Sequence, residues 1–282
     1  MTQSFDRRVT PARPDLAAEH YRGRIAADRY AVGEARQVGV PVVTLSFSPD
    51  ANARQESQLL LGEGFTVYEE RDGWAWGQAL LDGYVGYLPA ATLVHPMPPT
   101  HIVSALSTHL YRAADLKLRP LCRLGFGARF AVAGERDGFL ELVAGGFVFA
   151  KHAASLERPE PGYVGTAEAF LGVPYLWGGR SADGVDCSGL LQLVLQRAGI
   201  AAPRDSDQQA ATLGQALPVP WDCARLHAGD LVFFPGHAGI ALGDGRFLHA
   251  NAFDMRVSIH PLGDVLARAE AAGQPVSAIR RL

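Results

Sequence analysis

Gly184-Val185-Asp186-Cys187-Ser188-Gly189-Leu190-Leu191 follows closely on Pro174-Tyr175-Leu176-Trp177-Gly178-Gly179, and Pro235-Gly236-His237-Ala238-Gly239 stands fifty residues beyond the cysteine. After the glycine-rich turn, Leu190, Leu191, Val194 and Leu195 share helical spacing. They predict a helix that opens at Asp186 or Cys187, runs to Ala198 and closes at Gly199. Such a start puts a thiol in the first turn, where the helix dipole and free backbone N–H groups favour the thiolate. A nucleophilic cysteine also needs a base. His237, after a Pro-Gly turn at the head of a predicted strand, is placed to supply one. A lone strand histidine is ordinarily a packing residue, and the cysteine context reverses that reading. His249 lies on the next strand, beyond the Gly243-Asp244-Gly245 turn. There it can hold a ring N–H of His237 and fix the tautomer; Asn251, on the same face by alternation, competes for that task. Strands expected at 231–234, 238–242, 246–251 and 256–260 make this part a helix laid on an antiparallel sheet. The backbone N–H of Cys187 would help to bind an oxyanion.

Upstream the pattern is different. From Pro41 onward short β-type runs alternate with glycine and aspartate turns, and one plan occurs twice. Leu61-Gly62-Glu63-Gly64-Phe65-Thr66-Val67 leads to Glu70-Arg71-Asp72-Gly73-Trp74, and Leu124-Gly125-Phe126-Gly127-Ala128-Arg129-Phe130 leads to Glu135-Arg136-Asp137-Gly138-Phe139. Asp-Gly before an aromatic run is a hairpin signal, because both residues tolerate positive φ. Residues 1–40 read as a polar lead-in with a short helix from Pro14 to Ala27. A second short helix is expected from a Thr166 cap to Leu171. The proline-rich stretches at 95–99 and 156–162 read as joints. The expected divisions are 1–40, 41–97, 98–157 and 158–282.

With 282 residues and 48% hydrophobic content the chain has room for several small domains. A net charge of -3 and a pI of about 6.3 give no footprint for nucleic acid or an anionic membrane. The first residues lack the apolar stretch of a signal peptide, so the expected compartment is the cytoplasm. Three cysteines are too few for a disulfide framework, and a reducing compartment suits a working thiol. Cys122 and Cys223 read as small packed residues. A zinc site from Cys223, His227 and His237 is conceivable, but no paired ligand spacing supports it.

Pro174 to Gly179, Asp186-Cys187-Ser188-Gly189, Gly229-Asp230-Leu231, His237 and His249 occur in the order that resembles the papain-like cell-wall peptidases of the NlpC type. The two upstream repeats resemble bacterial SH3-like barrels. The implied fold class is α+β: two small SH3-like β-barrels followed by a papain-like cysteine peptidase domain. The implied reaction is amide hydrolysis through an acyl-enzyme on Cys187, with no metal or organic cofactor. Its substrate would be a muropeptide, cut at the γ-D-glutamyl to diamino acid bond of free stem peptides with an N-terminal L-alanine, as in peptidoglycan recycling. The resemblance puts Tyr175 beside the oxyanion site. It also has the Asp186-Cys187-Ser188 segment, with an acid from the first barrel, grip the substrate's free amine; the plain alternative makes Asp186 a helix cap and Ser188 a first-turn residue. Glu63 is taken as that acid, with Glu56 the other candidate, and Tyr87 as a pocket wall. Trp177 is expected to pack the glycine turn, and Arg180 and Asp183 to be turn and surface residues. A monomer is favoured. The alternatives are an exported endopeptidase acting on intact wall, an acyltransferase, or a non-catalytic peptidoglycan-binding protein.

Overall fold

A computed structural model of the chain describes residues 5–218 and 226–282. Its contacts divide it between Glu157 and Arg158 into two units. Cys223 lies outside the described residues, and with it the conceived zinc site.

The first unit is built from β-hairpins. One sheet runs in the order Gln55–Leu60, Val42–Ser46, Val85–Pro89, Trp74–Ala79, Gly64–Arg71, Glu34–Val38 and Leu93–Val94. Alternation explains its core: Phe65 and Val67 point inward between Thr66 and Tyr68, and pack with Val43, Leu45, Leu59 and Leu88. Strand Glu34–Val38 pairs with residues 64–67, so the expected lead-in is part of this sheet from residue 34. The helix expected from Pro14 to Ala27 does not form. Leu16–Ala18 is instead a fully buried strand paired in parallel with Arg29–Ala31, followed by a single 3-10 turn. Leu16, Ala17 and Ala18 are all buried while Arg24 is exposed and Tyr21 and Ile25 are only partly covered, so the spacing of one helical face is not the pattern of burial.

The second half of this unit repeats the plan. Cys122–Gly125, Ser107–Tyr111, Phe147–Phe149, Phe139–Leu142 and Val132–Arg136 lie in the same relative order as the first five strands above. The two Asp-Gly turns are conformational twins, with φ of 51° and 79° at Asp72 and Gly73 and of 53° and 76° at Asp137 and Gly138. Both pairs have the positive φ values that a tight hairpin needs.

In the second unit an antiparallel sheet runs Gln215–Leu217, Ala278–Arg281, Leu231–Phe234, His237–Ala241, Arg246–Asn251 and Arg256–Pro261. The helix Cys187–Arg197 packs against the third and fourth of these by sequence, His237–Ala241 and Arg246–Asn251. Leu190, Leu191, Leu193, Val194 and Leu195 are at most 2% exposed, and Gly199, at positive φ, ends the run. Helix Leu262–Ala271 covers Val232, Phe234, Ala241, Phe247 and Ile279 with Leu262 and Val265. The short helix expected from Thr166 starts earlier, at Tyr163–Glu168; Thr166 sits inside it, its hydroxyl donating to the Gly162 carbonyl. Asp230, of the Gly-Asp-Leu segment, is buried and anchors the last strand by accepting two hydrogen bonds from Arg281, at 2.7 and 2.6 Å.

Candidate active site

Cys187 is the first residue of its helix and is buried. Asp186 caps that helix by accepting from the Gly189 N–H at 2.7 Å. The same carboxylate accepts from the Gly178 N–H at 2.8 Å and takes a two-pronged contact from Arg204, at 3.0 and 2.7 Å. Arg204 is 1% exposed and also donates to the Ser188 hydroxyl at 2.9 Å. Gly189 permits this tight start: a side chain there would sit 2.2 Å from the Gly179 carbonyl oxygen. Asp186 thus caps the helix and Ser188 lies in its first turn, the plain alternative for the pair. Their polar atoms are engaged by the helix start, the glycine turn and a buried guanidinium. Arg180, expected at the surface, is likewise buried, whereas Trp177 is 61% exposed.

Burial also decides the state of the thiol. The Cys187 pKa is pushed up from 9.0 to about 12, first by burial and then by the Asp186 carboxylate. Backbone N–H groups of Ala238 and Ser188, and Arg204, pull partly the other way. That rise is worth about 4 kcal/mol against ionisation, more than the ~0.3–1 kcal/mol a helix start contributes. Burial and the Asp186 charge thus oppose the thiolate that the helix start favours. Tyr175, half-buried, stands close enough for the charges of Cys187 and Asp186 to act on it; burial and these charges push its phenol up to about 12.

The Ala238 N–H that points at the sulfur brings the head of the histidine strand to the cysteine helix. His237 Nε2 is 2.7 Å from His249 Nδ1. Burial depresses His237 to about 4, leaving it a neutral base above that pH. His249, 3% exposed, is pushed down to about 2, first by burial and then by the neighbouring His237, His260 and Arg268. The register places Ile240 opposite Leu248 and Ala241 opposite Phe247, so His249 falls opposite Gly239 and diagonal to His237. Gly239 opens that diagonal, since a β-carbon there would lie 2.8 Å from the His249 β-carbon.

Sequence reasoning missed the next ring. His249 Nε2 is 3.0 Å from His260 Nδ1, and His260 Nε2 is 2.9 Å from Asp254 Oδ2. Asn251, the competing orienter, holds the turn that carries Asp254: its Oδ1 accepts from the Asp254 N–H at 2.8 Å. The signal for His260 was available, because alternation puts residues 258 and 260 on the face of His249.

The barrel candidates belong to the first unit. Glu63 is 4% exposed at a turn, its carboxylate accepting from the Leu60 N–H at 3.1 Å. Tyr87 lines a cavity of about 870 Å³ with Phe47, Trp76, Tyr84, Glu69 and Glu56, the other acid considered. In it Arg13 donates to the Tyr87 hydroxyl at 2.7 Å and to Glu69 at 2.5 Å, and lies 4.3 Å over the Trp76 ring.

A buried thiol at a helix start, an imidazole strand meeting it and a second imidazole orienting the first are the parts of a papain-like cysteine peptidase. Residues 172–271 match the NlpC/P60 family and residues 45–93 match the bacterial dipeptidyl-peptidase Sh3 domain. The chain thus carries an NlpC/P60 cysteine peptidase domain and an SH3-like domain. A gamma-D-glutamyl-L-lysine dipeptidyl-peptidase of Bacillus cereus is 28% identical over 244 residues, covering 73% of this chain and 70% of its own length. The protein of the same name in Bacillus subtilis is 27% identical over 242 residues, covering 76% and 78%. An NlpC/P60 family protein from Bacillus cereus, known by crystal structure, superposes with a TM-score of 0.75 at 23% identity over 88% of this chain and 99% of that one, which speaks for the fold.

Proposed function

We propose that this peptidase hydrolyses the γ-D-glutamyl to diamino acid bond of free stem peptides that begin with L-alanine, releasing the dipeptide, as a step of peptidoglycan recycling in the cytoplasm. The observation that carries the reading is the His237–His249 hydrogen bond beside the buried Cys187 thiol. The names of the two Bacillus relatives support the bond and the dipeptide product. The Cys187 thiol passes its proton to Nδ1 of His237 as the sulfur attacks the carbonyl carbon. The Cys187 backbone N–H helps to hold the oxyanion, and the His237 imidazolium then protonates the leaving amine. Water, deprotonated by the same ring, releases the acyl group from sulfur. On the first unit, the cavity with Tyr87 and Glu56 is the surface we assign to recognition of the peptide's amine end, with Glu56 in place of Glu63. We also infer that residues 98–157 form a second SH3-like copy, supported by the repeated strand order and the twin Asp-Gly turns.

The test is mass spectrometry of L-Ala-γ-D-Glu-L-Lys, its diaminopimelate counterpart and the N-acetylated form of each, with Cys187→Ala as blank. Cysteine-dependent cleavage of the free-amine peptides alone is the expected result. Equal cleavage of the acetylated forms would refute the free-amine requirement, and inertness toward all four would refute the substrate.

A further inference from the structure

The hydrogen-bonded rings do not end at the residue that orients the base. His237, His249 and His260 sit on three successive strands, followed by the Asp254 carboxylate at 2.9 Å from His260 Nε2. Each ring has two nitrogens, and in a neutral imidazole one donates while the other accepts. A fixed role at one end of such a line therefore dictates every role along it.

Two groups fix the end. The Asp254 carboxylate accepts only, so the proton of His260 belongs on Nε2. It is an ionised acceptor, held below the usual carboxylate range first by the Ser258 hydroxyl, and also by the charge of Arg256. On the other side of the ring, Arg268 Nη2, from helix Leu262–Ala271, lies 3.4 Å from His260 Nδ1. A guanidinium only donates, so it too requires a lone pair on Nδ1. His249 then donates from Nε2 to that lone pair and accepts at Nδ1, and His237 donates from Nε2. The nitrogen left without a proton is Nδ1 of His237.

We propose that Asp254 and His260 are positioning residues that set the direction of the N–H groups along the three histidines and so keep Nδ1 of His237 free to take the Cys187 proton. The proposal rests on Cys187 and His237 being the reacting pair. No proton travels down the line: the thiol proton moves to Nδ1 of His237, stays there as the S–C bond forms, and leaves with the departing amine as the C–N bond breaks. With the line reversed, a proton on His260 Nδ1 would put one on Nδ1 of His237, which then has no lone pair for the thiol. The groups facing His260 are Asp254 from the turn, His249 from the adjacent strand, Arg268 from the helix and the Phe253 ring. The turn is itself built to hold Asp254. Asn251 donates to the Ser258 hydroxyl at 2.8 Å while accepting the Asp254 N–H, and Met255 has a φ of 53°.

The experiment is nitrogen-15 NMR of histidine-labelled full-length protein, which distinguishes the two tautomers, alongside steady-state kinetics. Wild type is expected to carry the proton on Nε2 of all three rings. Asp254→Asn and His260→Ala are expected to shift His249 and His237 toward Nδ1–H and to lower kcat by about ten- to a hundredfold, with KM nearly unchanged. His260→Asn, which keeps an acceptor oxygen near the place of Nδ1, restores most of kcat and makes a further Asp254→Asn silent. An Nδ1–H tautomer of His249 in wild type overturns the proposal without any variant. So do Asp254→Asn and His260→Ala proteins with unchanged tautomers and kcat. Wild type with the expected tautomers that fails to cut the tripeptides refutes the assigned substrate instead.

Discussion

Replacing Asp186 by alanine removes the carboxylate that caps the cysteine helix and pairs with Arg204. The guanidinium it leaves is 1% exposed, so water cannot replace the lost partner. Breaking a buried pair from one side costs about 3 to 5 kcal/mol, of which the missing cap accounts for about 1. Asp186→Asn keeps an oxygen for the Gly189 N–H but turns an amide donor toward Gly178 or Arg204, and is expected to lose about 2 kcal/mol. Arg204→Met on the Asp186→Asn background should recover most of that, because neither a charge nor its counter-charge then remains buried. An exposed pair such as Arg22–Glu19 serves as control, and breaking it should leave the midpoint almost unmoved. The assay is urea unfolding followed by circular dichroism, with the slope checked for constancy. If Asp186→Asn leaves the midpoint unmoved while raising KM, the carboxylate serves the substrate and the structural account is wrong.

Because burial holds His237 near pH 4, the acid limb of kcat/KM should lie near 4, and a limb at 6.5 would contradict the neutral-pair account. The thiol pushed up to about 12 implies that iodoacetamide labels Cys187 more slowly at pH 7 than it labels free cysteine, as peptide mapping would show. His249 protonates in the unfolded chain near 6.5 but in the folded one only near 2. Its stabilising effect is complete above 6.5 and lost as pH falls, by about 1.4 kcal/mol per unit, so between pH 6.5 and 4.5 it should add about 2 to 3 kcal/mol of loss to that from His237, a share that His249→Asn removes. An equal loss in that variant would exclude His249 as the source. Gly239→Ala should cost about 1 to 3 kcal/mol and a larger share of activity, since its β-carbon strikes Phe247, the Leu248 carbonyl and His249; wild-type kcat in this variant would show that the diagonal needs no gap.

What the sequence made legible follows from short-range rules. The cysteine helix, the histidine strands and the twin Asp-Gly turns each rest on residues within one element or one hairpin. Helix Leu262–Ala271 was equally readable, because Leu262, Val265, Leu266 and Ala269 have the spacing of one helical face, and it was overlooked. Helix Ser206–Thr212 was not readable: it has no large apolar residue to set a period, and it is held by Gln209 donating to the Ser188 and Pro203 carbonyls. The Asp186–Arg204 pair spans eighteen positions and no periodicity announces it. The Glu63 carboxylate was just as silent, since nothing in a glycine-rich turn tells from sequence that its oxygen takes the Leu60 N–H.

The three histidine rings are staggered by two residues from strand to strand, so the line they form is a measurement of strand register. A slip of one residue in either intervening hairpin would turn a ring to the opposite face of the sheet. A mispaired sheet would then yield an inert protein, not a peptidase of altered specificity. The Gly243-Asp244-Gly245 turn, which contributes nothing to the chemistry, thereby becomes the proofreader of the site: one inserted residue there should silence the enzyme while leaving its helices intact.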